Sequence, residues 1–395
     1  MSSQGSGQNS CVRSSQEALD ALRALPCGAR ALDAFDRDDR VYLVGGAVRD
    51  LLLGRRPREV DLVVEGDLDE AAGRLGGEVT AHDRFGTARV LYDDCEIDLA
   101  RARRERYLRP GALPEVEPAP LEEDLHRRDV TVNAMAIALG DGTLHAVPGA
   151  LDDLEHGVLR VLHDRSFVDD PTRIWRVARY AARLRFDVEP RTRALAHAAD
   201  PSTVSGDRLG AELRLALREP DPPAALRAAR DLQPRLLPDG FDPDPAGLAD
   251  ALALLPEGEG RPDLVTLAAA TAGMDARALL RWLDDMGFPA AERDTVAAAS
   301  RFSTGAPLRN ARTSAEIARA ARGAPIEAVA LAGGENARRW LDDLRHVRLE
   351  ITGDDLLAAG VPQGPEIGDR LRRALDRKLD GEVSGRAGEL EAALE

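Results

Sequence analysis

LVGGAVRDLLLGRRPREVDLVVEGD, Leu43 to Asp67, decides how the first part of this chain folds. VYLVGG and VDLVVEG are short apolar runs of strand length, and AVRDLLLG between them has the make-up of a helix. Gly45 and Gly46 end the first strand and lead into that helix. A turn of this kind aims backbone N–H groups at whatever sits above it, which suits a triphosphate. Arg49, one turn into the helix, can reach the same anion. A glycine pair also serves any tight turn, and the absence of GxxxxGK[ST] excludes a P-loop ATPase.

The second strand supplies Glu59 and Asp61, and residues two apart on a strand share a face. Paired carboxylates repel unless a cation lies between them, and Mg²⁺ with oxygen ligands answers that need. The competing reading is a solvated strand end that carries acids by chance. Asp61 borders the apolar run Leu62–Val64, which weighs against it. Further out, GTARVLYDD and CEIDLARAR alternate and read as an antiparallel pair. Glu96 and Asp98 share one face of the second of these. Either can be the third carboxylate of a two-metal site, in which one ion lowers the pKa of an attacking hydroxyl and the other steadies a leaving pyrophosphate.

The rest of the chain sets the frame. Its 395 residues suffice for two to four domains. Hydrophobic residues at 44% and charged residues at 31% fit a soluble globular protein, and aromatics at 4% leave the core to Leu, Val and Ala. The net charge of −16 is not that of an obvious nucleic-acid binder. Arginines gathered in one groove would reconcile the two. Of 53 basic residues only Lys378 is lysine, a bias that suits phosphate contacts but that a GC-rich genome also produces. Cys11, Cys27 and Cys95 are odd in number and lack metal-ligand spacing, so neither a disulfide nor zinc is expected, and reduced thiols in a cytoplasmic protein are the simplest reading. No apolar run approaches a membrane span, and MSSQGSGQNS lacks the apolar core of a signal peptide.

Residues 1–14 read as a disordered tail, followed by a short helix over Ser15–Leu25. Mixed α/β patterning runs from Arg40 to about Leu162, and almost everything from Asp169 onward is helical. In DDPTRIWRVARYAARLRF the apolar stripe Ile174, Val177, Ala181 and Leu184 has helical spacing. Asp170 before Pro171 makes a good helix cap. Asp170 and Arg173 are also neighbours on one face, which Arg176 and Arg179 continue. A carboxylate and a guanidinium so placed can read cytosine or adenine, each of which offers an amino donor beside a ring-nitrogen acceptor. Guanine and uracil would leave both groups unpaired, at about 1–3 kcal/mol each. His82-Asp83 and His163-Asp164 lack the further ligands of a phosphohydrolase site.

Taken in order, GG-x-VRD-x-LLG, the carboxylate pair, RRDVTVNAM (Arg127–Met135) and DDPTRIWRVARYAARLRF (Asp169–Phe186) resemble the class II tRNA nucleotidyltransferase and poly(A) polymerase family over roughly Tyr42 to Phe186. ITGDDLLAAGVPQGPEIGDRLRRALDRKLDGE resembles the tail of bacterial members. Two departures stand out: Glu59-Val60-Asp61 where the family has Asp-x-Asp, and Asp169 where it has Glu.

The resemblance implies an α+β fold. A polymerase beta-like α/β head (39–165) would follow a tail and short helix (1–38) and precede an all-helical neck (166–230) and body and tail (231–395). It implies addition of CCA, or part of it, to the 3′ end of tRNA from CTP and ATP with Mg²⁺ and no nucleic-acid template. Gly46, Arg49 and Arg128 would contact the nucleotide, and Asp170 and Arg173 would read the base with Arg176 and Arg179 nearby. An A-adding enzyme, a poly(A) polymerase and an inactive RNA-binding module are the alternatives. The acidic ending GELEAALE argues against the polymerase. RNA phosphates could be gripped by Arg370, Arg372, Arg373, Arg377 and Lys378, which a solvated surface explains equally well. Family members that stop after CC carry a shortened loop before RRD. Arg104–Asp124, RERYLRPGALPEVEPAPLEED, is long, and its Pro and Gly content predicts a semi-rigid mobile flap rather than a strand or helix.

Overall fold

VYLV is buried at all four positions, so both faces of this strand are covered. The computed structural model, which describes residues 12–38, 40–82, 86–302 and 305–395, places it inside a seven-stranded mixed sheet. The strands are β1 (Val41–Val44), β2 (Val60–Val64), β3 (Glu78–His82), β4 (Thr87–Leu91), β5 (Glu96–Arg101), then β8 (Met135–Ala138) and β9 (Leu144–Ala146), in spatial order β3-β4-β5-β2-β1-β8-β9. Only β2 and β5 run parallel; every other neighbouring pair is antiparallel. Helices α1 (Ser15–Arg23), α2 (Pro26–Ala34), α3 (Gly46–Leu52) and α4 (Leu68–Leu75) complete this part. Ala47, Val48, Leu51 and Leu52 of α3 are buried, as the apolar spacing predicts.

Three sequence expectations need correction. First, Cys27 on α2 and Cys95, just before β5, form a disulfide with Cα atoms 5.9 Å apart. The 68 residues between them hide from the sequence a juxtaposition that only the fold creates. Second, the segment 104–124 has regular structure. β6 (Arg103–Arg106) and β7 (Glu115–Pro118) form an antiparallel hairpin, and α5 (Leu121–His126) begins before the segment ends. Opposed charges stitch the strands, as between Arg104 and Glu117 at 2.6 Å. The Pro and Gly residues lie largely in the connection, whose Gly111 N–H donates to the carbonyls of Val168 and Asp169. Third, Arg13 of the expected tail hydrogen-bonds through its N–H to the Leu52 carbonyl, and Ser14 caps α1. Residues 1–11 of that tail, and Asp83, lie outside the described residues.

Helix α6 (Ala150–His156) precedes a short parallel pair, β10 (Val158–Leu159) with β11 (Asp187–Val188). Between these strands lie α7 (Ser166–Asp169) and α8 (Thr172–Leu184), whose Ile174, Trp175, Val177 and Ala178 are fully buried. Together with α9 (Pro190–Ala198) and much of α10 (Gly206–Ala216), these elements and the sheet make one compact unit.

The second unit contains residues 237–395 and is helical. Its helix Pro262–Ala270 is buried from Asp263 to Ala270 and packs with Ala290–Phe302 and Ile326–Ala332. Farther along, Pro365–Leu379 packs on Gly385–Leu394 around Ala374, Ala392 and Ala393. Four of the five cations of that helix are occupied within the protein. Arg370 pairs with Glu366, Arg372 with Asp369, Arg377 with Glu382 and Lys378 with Glu389.

Candidate active site

The strand registers lay three charged side chains in one row. Asp61 of β2 is directly opposite Asp98 of β5, and Asp98 is directly opposite Arg89 of β4. Directly paired residues project to the same face, so the row is continuous across three strands. Arg89 clasps Asp98 with two bonds, Nε to Oδ1 at 2.7 Å and Nη2 to Oδ2 at 2.9 Å. Glu96 lies one step along the same face, 3.6 Å from Arg89 Nη1. Glu59 sits in the bend that precedes β2, since the strand itself starts at Val60.

Asp61 is left with the weaker share of positive charge. Burial, then the nearby charges of Glu59 and Asp98, push its carboxyl up to about 6 against the opposing pull of Arg128 and Arg176. A cavity of about 640 Å³ opens here, lined by Asp61, Asp98, Arg89, Arg127 and Arg128 among others. An acid cluster short of countercharge suits a hard divalent cation. Among the described residues no three His, Cys, Asp or Glu side chains are grouped to hold a metal by themselves.

The glycine turn leads to the same place. Gly45 has φ +66°, and a Cβ there would lie 2.8 Å from Arg128 Nη1. Only a bare backbone lets that guanidinium come so close. Arg128 also donates to buried Asp124 at 2.9 Å, which Arg127 shares at 2.7 Å, while Arg128 Nε has no hydrogen-bond partner. Arg49 behaves differently from expectation. It is buried, and it donates to Asn133 Oδ1 at 2.6 Å and to Asp50 at 2.7 Å. Asn133 in turn donates to Asp129, which also accepts from Arg176 Nε at 2.7 Å and from the Tyr180 hydroxyl at 2.9 Å. Burial alone would raise the Asp129 carboxyl, but Arg176, Asn133 and Tyr180 outweigh it and hold it well below the usual range. One network therefore joins α3, the RRDVTVNAM segment and α8.

A second, smaller cavity of about 220 Å³ is lined by Tyr107, Arg127, His163, Asp169 and Arg173 among others. Arg173 donates to Ser166 Oγ and to the Arg127 carbonyl, at 3.0 and 2.8 Å, and its guanidinium lies over the Tyr107 ring. Asp170 lies just before Pro171, the residue that caps α8, and its Oδ1 accepts from the Thr172 N–H at 3.1 Å. It also takes Arg208 Nη2 at 2.9 Å. Arg179 joins neither cavity. It is buried and pairs with Glu212 and Glu219. The sequence reading overlooked Arg89, Tyr107 and Arg127. Counting register outward from the Asp93-Asp94 turn would have found Arg89 opposite Asp98.

Known proteins bear on this arrangement. Residues 41–160 match the poly A polymerase head domain. Over 396 residues the chain is 35% identical to the A-adding tRNA nucleotidyltransferase of Geobacter sulfurreducens, covering 90% of this chain but only 45% of that protein. It is also 35% identical over 358 residues to the CC-adding tRNA nucleotidyltransferase of Deinococcus radiodurans, covering 88% of this chain and 86% of that one. The chain belongs to the tRNA nucleotidyltransferase family. A solved CCA-adding enzyme in an apo form superposes with a TM-score of 0.80 at 29% identity, over 97% of this chain and 99% of the other. Membership of this tRNA nucleotidyltransferase family accounts for the order of the three motifs and for the α+β architecture. It leaves the added nucleotides undecided, because relatives of equal identity are named for different additions. Among the described residues no helix is long and apolar enough to cross a membrane.

Proposed function

We propose that this protein adds CCA to the 3′ end of tRNA from CTP and ATP, without a nucleic-acid template. The observation that carries the reading is the Asp61–Asp98 row beside the Gly45–Arg128 approach, which puts acids for metal and a cation for phosphate around one cavity. Asp61 and Asp98, with Glu59 alongside, would hold Mg²⁺. When bound, that ion lowers the pKa of the attacking 3′ hydroxyl and offsets charge on the leaving pyrophosphate. Asp98 is favoured over Glu96 as the third acid because it faces Asp61 directly. Arg128, whose Nη1 lies against the bare backbone of Gly45, meets the triphosphate there. Arg49 acts one step back, through Asn133 and Asp129, rather than on the anion.

Base choice falls to Asp170 and Arg173. Every hydrogen bond described for the Asp170 side chain goes to Oδ1, which leaves Oδ2 for the amino group of cytosine or adenine. In the hairpin 103–118 the Gly111 carbonyl accepts from Arg208, which also holds Asp170. A base-reading pair tied to a long hairpin supports addition of the terminal A. Addition of A alone is the second reading, favoured by the A-adding Geobacter relative.

Three tRNA substrates, ending before CCA, after C and after CC, each given CTP, ATP or both, separate the readings. Full CCA addition extends all three. Failure to add A to the CC-ended tRNA overturns the argument from the hairpin. A addition without C addition makes this an A-adding enzyme.

A further inference from the structure

Arg89 is not part of any sequence motif that led to the site, yet it holds the end of the charged row. Its guanidinium pairs with Asp98 and Glu96 and also feels the charge of Glu59. The clasp on Asp98 is bidentate and occupies both carboxylate oxygens. Paired in this way, Asp98 has no strongly basic lone pair left in the clasp plane for a cation. The pair is also reversible by construction. Arg89 and Asp98 are 47% and 34% exposed, so the guanidinium can swing into solvent or onto a phosphate without leaving a buried charge behind.

We infer that Arg89 is a resident counter-ion of the carboxylate row, which a divalent cation must displace from Asp98 and which a nucleoside triphosphate helps to draw away. The inference rests on the proposed metal site. Its consequence is that metal alone binds weakly, whereas metal that arrives with a triphosphate binds well, because the phosphates give Arg89 a new partner of the same kind. Arg89 thus acts as a positioning residue that makes metal loading depend on nucleotide.

The test is direct titration of Mn²⁺ by paramagnetic resonance, with and without a non-hydrolysable CTP analogue, on the full chain and on Arg89→Gln. Asp61→Ala identifies the signal from this site, and circular dichroism checks that each variant is folded. The expected result is that Arg89→Gln binds Mn²⁺ alone about tenfold more tightly than the parent protein, a typical effect of removing a charge-assisted pair. The gain should disappear in an Arg89→Gln, Asp98→Asn double variant, and the analogue should improve Mn²⁺ binding more in the parent than in Arg89→Gln. Equal Mn²⁺ affinity for parent and Arg89→Gln at an Asp61-dependent site would overturn the inference and leave the metal site standing. No Asp61-dependent Mn²⁺ signal in any of the proteins, even with the analogue, would overturn the metal site and the inference together.

Discussion

Arg176 donates to Asp129 at 2.7 Å, and that bond ties helix α8 to the RRDVTVNAM segment of the sheet unit. Asp129 is 5% exposed and also serves Tyr180, Asn133 and its neighbour's N–H, so four donors depend on one carboxylate. Removing it leaves a charge and three buried polar groups unpaired. Asp129→Ala should therefore cost about 3–5 kcal/mol in urea unfolding. The pH dependence has a defined sign. A carboxyl depressed in the folded state contributes stability above its unfolded pKa of 3.8, and that contribution is lost as pH falls below it. Asp129→Asn should accordingly lose part of the acid-induced drop seen in the parent protein. An unchanged midpoint for Asp129→Ala would show that the network does not hold the two elements together.

Asp61 has the opposite sign. Its carboxyl is raised to about 6, so folding favours the protonated form. That contribution is fully present below about pH 4 and is lost as pH rises through 6. Asp61→Asn mimics the protonated acid. In chelator-treated buffer it should be more stable than the parent at about pH 8, by on the order of 2 kcal/mol, with the difference gone at about pH 4. Nucleotide addition should be lost throughout. Thermal melts across pH, with and without Mg²⁺, read both effects, and an Asp61→Asn protein that is less stable at high pH would contradict the assigned environment.

The carboxylates, the glycine turn and the strand pair around them were legible because each is local. Alternation puts Glu96 and Asp98 on one face, but only the parallel register of β2 and β5 singles out Asp98 as the partner of Asp61. Arg89 was within reach of sequence reasoning, since a hairpin's register follows from its turn. Arg49 misled because a cation one turn into a helix looks aimed at the helix mouth, whereas Asn133, 84 residues away, supplies an acceptor that draws it inward. Hairpin 103–118 misled because Pro and Gly were counted over the whole segment rather than located within it. The disulfide depends on a packing of α2 against the β4–β5 turn that no local pattern records.

Gly45 offers a test of the nucleotide turn. At φ +66° and ψ −132° it occupies backbone space that side chains avoid, and an added Cβ meets Arg128 at 2.8 Å. Gly45→Ala should therefore cost about 1–3 kcal/mol of stability and displace Arg128 from the cavity. The second effect separates this site from an ordinary turn. The KM for both CTP and ATP should rise together by about tenfold, because a phosphate contact ignores the base. A rise for one nucleotide only would place Gly45 with the base-reading residues instead.

The Cys27–Cys95 bond closes a span of 68 residues and joins α2 to the turn that leads into Glu96 and Asp98. Loop-closure entropy for that span is on the order of 4 kcal/mol, so reduction should lower the melting temperature clearly. Activity is expected to respond much less. The same turn has a second tether, because Arg30 donates to Asp94 at 2.8 Å and lies 4.5 Å from the centre of the Tyr92 ring. With that contact and the β4–β5 ladder intact, the Asp61–Asp98 register should survive reduction, and nucleotide addition at room temperature should persist. The measurement is a thermal melt with and without a phosphine reductant, with Cys27→Ser, Cys95→Ser as the control that cannot respond to it. A parent protein whose melting temperature ignores the reductant would show that the bond contributes nothing to stability. Loss of activity on reduction well below the melting temperature would show instead that the bond, and not the Arg30 contact, keeps β5 in place.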